Sequence, residues 1–356
     1  MTRLPRICGT SAVLPQHRYD QKALATVAAR LLSGSTTAPG VVERLFARVG
    51  VSERYLALET DAYERLSGFG ARNDAWIDAA LSLGTQAVER ALHDADVSAS
   101  AVHMLLTTTV TGIAVPSLDA RLMNRLPFRS DLKRIPLFGL GCMAGASGIA
   151  RAADYLRGHP DEIAVVLSVE LCSLTVQPDD GSVANIIATG LFGDGAAAVV
   201  IAGSGCEVAQ RSTVRVLDSL SCFFPDTERV MGWDVGDRGF TIVLSPEVPA
   251  LAREGLPPLI DALLAGNGLV RSDVTSWIAH PGGPAVMAAM VEGLDLSPDA
   301  LTETRRSLSE VGNLSSASVL FLLDDFRKRV CPPPGSYAVL LAMGPAFSAE
   351  AVLLQW

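Results

Sequence analysis

From Pro136 to Tyr155 the chain reads PLFGLGCMAGASGIARAADY: a cysteine ringed by glycines 139, 141, 145 and 148, running into an alanine-rich helical pattern. So many glycines allow backbone conformations that a Cβ forbids, and they place Cys142 at a sharp turn into a helix. At a helix N-terminus a thiol meets the positive end of the macrodipole, which predicts a lowered pKa and a nucleophilic thiolate. Small neighbours let a substrate carbonyl approach and leave backbone N–H groups free to hold an oxyanion. The alternative reading of a lone cysteine is a small core hydrophobe.

Composition narrows the classes around that turn. The chain has 356 residues, 49% of them hydrophobic, enough for a substantial core in one large domain or two ordinary ones. A formal net charge of −9 argues against a general nucleic-acid or anionic-membrane surface, which needs an excess of Lys and Arg. The six cysteines (8, 142, 172, 206, 222 and 331) show no CxxC spacing, so no metal site is expected. No apolar run reaches the length of a membrane span, and MTRLPRICGTSAVLPQ lacks the apolar segment of a secretory leader. Reduced thiols and a cytoplasmic location are the expectation.

Apolar periodicity predicts strands over 3–13, 102–109, 163–169, 196–202, 277–279, 337–342 and 351–354. Helices are predicted over 22–31, 41–49 and 74–93, up to Leu126, from Cys142 towards Arg157, over 248–264 and 302–308, and from Asn313 to Arg329. Residues 34–40 read as a loop. The two halves rhyme, because in each a glycine-containing turn, at Cys142 and at Gly312-Asn313, enters a helix that buried strands follow. Gly203-Ser204-Gly205 marks the boundary, giving units 1–205 and 206–356 of a layered α/β fold. The chemistry is then expected where the two helix N-termini converge.

Three more features carry candidate chemistry. Among the five histidines, His280 ends the apolar stretch Trp277-Ile278-Ala279 and precedes Pro281-Gly282-Gly283-Pro284; a satisfied structural histidine is the alternative. Asn313, before Leu314-Ser315-Ser316-Ala317-Ser318, reads equally as an N-cap or as an amide donor. Arg44 and Arg48 share a predicted helix face, either solvated or set for phosphate. A nucleophile, a base and an amide on three separate turns form a far more specific combination than any one alone.

The stretches GCMAGA at 141–146, LFGDGA at 191–196, WIAHPGGPA at 277–285, GNLSSAS at 312–318 and AMGPAFSAE at 342–350 span nearly the whole chain. In their order and spacing the sequence resembles the type III polyketide synthases, the chalcone synthase-like group of the thiolase-fold condensing enzymes. A ketoacyl-ACP synthase III would carry His-Gln-Ala-Asn where this chain has His280-Pro281-Gly282-Gly283.

The resemblance implies a thiolase-like αβαβα fold of two similar halves, a homodimer, and malonyl-CoA and an acyl-CoA starter as substrates, with no further cofactor. Cys142 would take the acyl group, and His280 and Asn313 would hold the thioester oxygen through decarboxylation and condensation. Phe192 matches the family's gate, while Ile242 stands in place of a second gating aromatic and Trp233 falls near a glycine position. Thr175, Ser315, Val110 and Cys172 match cavity-lining positions, and Val115 matches a residue that reaches into the partner's cavity. Arg44 and Arg48, with Gly282 and Ala285, are implied to contact CoA. Ala346 replaces a glycine of the loop that shapes cyclisation. The expected product is an alkylpyrone or alkylresorcinol, and Ile242 tilts the expected starter towards fatty acyl. The competing readings are a single-round ketoacyl synthase served by a carrier protein, and a catalytically silent acyl-binding partner.

Overall fold

The computed structural model describes residues 4–32 and 40–356, so the loop expected at 34–40 lies, but for Gly40, outside the described residues. β1 (Arg6–Val13) is followed by a short antiparallel pair, β2 (His17–Asp20) and β3 (Glu53–Leu56). β4 (Met104–Thr109), β5 (Lys133–Phe138), β6 (Ile163–Leu171) and β7 (Asp194–Ala202) complete the first half. β8 (Arg215–Phe223) opens the second, the hairpin β9 (Met231–Gly236) and β10 (Gly239–Leu244) follows, and β11 (Val274–Ala279), β12 (Tyr337–Gly344) and β13 (Ser348–Gln355) close it.

Nine of these strands run in the order β11-β12-β13-β8-β1-β7-β6-β4-β5. The order repeats itself about its middle. β4 and β6 are parallel, as are β11 and β12; β6–β7 and β12–β13 are antiparallel, as are β7–β1 and β13–β8. The two sets meet at one register pair, Arg6 with Arg215.

Side-chain alternation along the strands sorts the layers. Ala197, Val199 and Ile201 of β7 and Ala338, Leu340 and Ala342 of β12 turn to one shared core, which also holds the helices Ala144–Gly158 and Ser318–Asp325. The other face of β7, with Ala196, Ala198 and Val200, packs on the helix Gly68–Ala95. Val339, Leu341 and Met343 of β12 pack on the helices Val248–Gly266 and Pro284–Leu294. The result is an αβαβα stack whose central helices are covered on both sides, which is why β6 and β7 are buried along their whole length.

The two central helices abut at their N-termini. A Cβ on Gly145 would lie 2.2 Å from the Ser316 carbonyl oxygen, so only glycine permits the approach. The helix expected to open at Asn313 begins at Ser318 instead, after a one-turn 3₁₀ segment at Ser315–Ala317, because the Asn313 main chain pairs with the Leu191–Gly193 backbone. The helix expected over 41–49 stops at Phe46, which leaves Arg48 beyond it; the shared-face argument for the two arginines therefore rests on a turn rather than on helix. Among the described residues no helix is long and apolar enough to cross a membrane.

Ala346 sits at φ +51°, the left-handed region in which a Cβ costs about 1 kcal/mol. Ala346→Gly is therefore expected to raise the unfolding free energy by about 1 kcal/mol, measured by chemical denaturation. An unchanged or lower stability would show that this turn gains from its Cβ.

Candidate active site

Cys142 lies in the one-turn 3₁₀ segment Gly141–Met143, just before the helix Ala144–Gly158. Gly141 has φ +53°, and a Cβ there would strike the Pro345 ring at 2.4 Å, so the turn is held from outside by the 342–350 stretch. The thiol donates to Ser315 Oγ at 3.5 Å. Burial pushes its pKa up to about 12, against a lowering by the Ser315 bond and with Glu170 adding to the rise. The lowered thiol expected from the helix terminus is not what this site gives: burial outweighs the helix end, although the residue as a whole keeps partial exposure.

His280 directly follows β11, its N–H donating to Leu341 O at 2.8 Å, so strand pairing fixes its place. It is buried, burial pushes its imidazole down to about 3, and Nδ1 has no hydrogen-bond partner among the described residues. Asn313 faces it, with Nδ2 3.3 Å from Nε2. The Asn313 Oδ1 accepts from Ser315 N–H at 2.8 Å and from the Ser318 hydroxyl at 3.5 Å, which fixes the amide with its nitrogen towards the imidazole. Nε2 is then the acceptor, and the neutral ring carries its proton on Nδ1. The resting site is a neutral thiol, a neutral imidazole and an oriented carboxamide, with Ser315 bonded to both the first and the last.

Sequence reasoning missed the role of Glu170, near the end of β6. Its carboxylate accepts from Val110 N–H at 3.1 Å, from the Thr111 and Thr109 hydroxyls at 2.9 and 3.3 Å, and from Ser316 Oγ. A carboxylate in the otherwise uncharged IAVVLSVEL strand was the available signal. Burial raises it from 4.5 to about 7. The folded state therefore favours the protonated acid, and its contribution is fully present below pH 4.5 and lost as pH rises through about 7. At about 1.4 kcal/mol per pH unit the loss is about 3 kcal/mol. Asp194, raised to about 6 by burial, adds a similar loss at lower pH. Glu170→Gln is expected to flatten the fall in stability between about pH 4.5 and 7 in denaturation series; a slope equal to wild type would show that the carboxylate titrates normally.

Five of the other expected positions meet in one cavity: Phe192, Ile242, Trp233, Thr175 and Cys172. Trp233 and Ile242 are register partners across the β9–β10 hairpin, and Phe192 caps the helix Val183–Leu191. Leu24, Val27, Leu31, Leu56 and Leu66 make much of the same lining apolar, with Arg54, Arg72 and Asn185 also lining it; Cys142, His280 and Asn313 do not line this cavity. Ser315 lies on the Cys142 side, Val110 contributes its N–H to Glu170, and Val115 is 91% exposed. Arg44 and Arg48 are exposed, and Ala285 is exposed in the first turn of the helix Pro284–Leu294, next to the Gly282 turn.

Models of the chalcone and stilbene synthase N-terminal and C-terminal domains match residues 35–205 and 216–356. A 1,3,6,8-tetrahydroxynaphthalene synthase of Streptomyces peucetius subsp. caesius is 46% identical over 350 residues, 98% of this chain and 93% of that protein. A 3,5-dihydroxyphenylacetyl-CoA synthase of Streptomyces toyocaensis is 31% identical over 359 residues, covering 99% and 90%. The crystal structure of 1,3,6,8-tetrahydroxynaphthalene synthase from Streptomyces coelicolor A3(2), described as a bacterial type III polyketide synthase, superposes with a TM-score of 0.92 at 32% identity over 99% of each chain. Sequence, layered fold and both domain models thus agree that the chain belongs to the chalcone and stilbene synthase family, the thiolase-like condensing enzymes known as type III polyketide synthases.

Proposed function

We propose that the protein builds a polyhydroxylated aromatic product by repeated decarboxylative condensation of malonyl-CoA onto an acyl group carried by Cys142. The reading rests on one juxtaposition: Asn313 Nδ2 stands 3.3 Å from His280 Nε2, on the turn whose Ser315 receives the Cys142 thiol. His280 takes the thiol proton as sulfur attacks the starter thioester, and returns it to the departing CoA sulfur. Malonyl-CoA then loses CO2, and the electron pair of the broken bond becomes an enolate whose oxygen is held by Asn313 Nδ2–H and by the neutral His280 ring in the tautomer whose single proton has moved from Nδ1 to Nε2. The enolate carbon attacks the acyl thioester, forming the carbon–carbon bond and releasing the Cys142 thiolate. A proton on Nε2 breaks the resting Asn313–His280 bond, which frees two donors for one oxygen. No redox or nucleotide cofactor enters.

The relatives, a tetrahydroxynaphthalene synthase and a dihydroxyphenylacetyl-CoA synthase, favour a polyhydroxylated ring without a long alkyl chain over the expected alkylpyrone or alkylresorcinol. The mostly apolar lining of the cavity that holds Phe192 favours a second reading, a fatty-acyl starter with its tail in that cavity. Exposed Val115, with Phe138 54% exposed on the edge strand β5, supports a homodimer, and the exposed Arg44 and Arg48 support a CoA phosphate contact. The test is incubation of the purified protein with malonyl-CoA, alone and with short- or long-chain acyl-CoA, following CO2 and product mass. A polyhydroxylated aromatic without long-chain acyl-CoA is expected; product only with long-chain acyl-CoA would establish the second reading, and no CO2 under any condition would overturn both.

A further inference from the structure

The gate and the amide share one piece of backbone. Asn313 N–H donates to Leu191 O, and Gly193 N–H donates to Asn313 O, each at 2.9 Å, around a bridge between Phe192 and Asn313. Phe192 follows the last turn of the helix Val183–Leu191, where carbonyls run out of helical partners. Beneath this turn lies Arg54 of β3, only 4% exposed. Its Nη1 donates to Thr189 O and to Phe192 O, both at 2.6 Å, and its Nε donates to Gln21 Oε1 at 3.1 Å. Gln21 Nε2 in turn donates to Gly190 O at 2.7 Å. One buried fork and its amide partner thus hold the carbonyls of 189, 190 and 192. A Cβ on Gly312 would lie 3.1 Å from Arg54 Cδ, so the backbone leading into Asn313 rests on the same side chain. A guanidinium suits the place because its planar donors reach two carbonyls at once and its charge meets the negative end of a helix. Cys142 hangs from a different turn.

We propose that Arg54, braced by Gln21, is a positioning residue that sets Phe192 and Asn313 as a unit, so that the gate and the oxyanion donor move together. The proposal rests on the condensing reading above. Its test compares Arg54→Met, Arg54→Lys and Gln21→Ala in two half-reactions: acyl transfer from starter CoA to Cys142, read by protein mass, and malonyl-CoA decarboxylation, read as kcat and KM. For Arg54→Met a 10- to 100-fold loss in decarboxylation kcat, on the order expected of a misplaced donor, is predicted, with acyl transfer within about threefold of wild type. Arg54→Lys should recover part of that loss, and Gln21→Ala should cost several-fold and change the product-length distribution. Should Arg54→Met not fold, the two milder variants carry the comparison. Equal losses in both half-reactions, or unchanged kcat in Gln21→Ala and Arg54→Lys, would overturn the proposal. Failure of wild type to accept any acyl group would instead sink the condensing reading itself.

Discussion

Replacing Cys142 with alanine is expected to lower product turnover by about 10⁴- to 10⁶-fold while malonyl-CoA decarboxylation stays within about tenfold of wild type. The asymmetry follows from where the groups sit. The sulfur belongs to the Gly141–Met143 turn, whereas the two groups that would hold the malonyl thioester oxygen belong to the end of β11 and to the segment after Gly312. Alanine removes only the sulfur and the Ser315 contact from a turn already packed with glycine and alanine, so the fold should survive. The readouts are acyl-enzyme by mass and CO2 by coupled assay. Alkylation would be a poorer probe than acyl-enzyme mass, because burial raises the Cys142 thiol while Cys331 is exposed. Persistent product formation from Cys142→Ala would end the idea of a covalent acyl intermediate at this position.

The parts of the site legible in the sequence are those that rest on glycine and on chain order. Gly145 and Gly141 could be read as close-approach positions, and their neighbours in the fold, the Ser316 carbonyl and Pro345, are what they make room for. Cys142, His280 and Asn313 stood out because each interrupts an apolar pattern at a turn. What stayed hidden is set by three-dimensional surroundings. The thiol was misread because a helix terminus is worth only about 0.3–1 kcal/mol, whereas burial, the largest of the influences on it, carries the thiol from 9.0 up to about 12. Arg54 looked like one arginine among many, and only the fold shows its donors under the Phe192 turn. β5 escaped notice because KRIPLF is charged, carries a proline and lies at a sheet edge, where burial imposes no alternation. The β9–β10 hairpin places Trp233 against Ile242 through a register that no local pattern announces.

Asn313→Asp is expected to cut decarboxylation by about 10³-fold or more at neutral pH, with a loss of stability from the buried carboxylate that shrinks as pH falls. The two oxygens of the amide's replacement divide the roles cleanly. One can keep the bonds that Oδ1 now accepts from Ser315 N–H at 2.8 Å and from Ser318 Oγ at 3.5 Å, so the turn is preserved. The other replaces the Nδ2 donor with an acceptor, setting negative charge where the enolate oxygen would form. A carboxylate beside the imidazole also favours its charged form, so the His280 pKa should rise from about 3. Lowering the pH protonates the new acid and restores an O–H donor, so decarboxylation should recover in part as pH falls, the opposite of what a simple base requirement predicts. Asn313→Ala provides the contrast, with a loss of about 10²- to 10³-fold and, because Ser315 N–H loses its acceptor, about 1–2 kcal/mol of stability. Acyl transfer to Cys142 should persist in both. If Asn313→Asp decarboxylates malonyl-CoA at the wild-type rate, the carboxamide nitrogen is no donor to the enolate and the oxyanion must be held elsewhere.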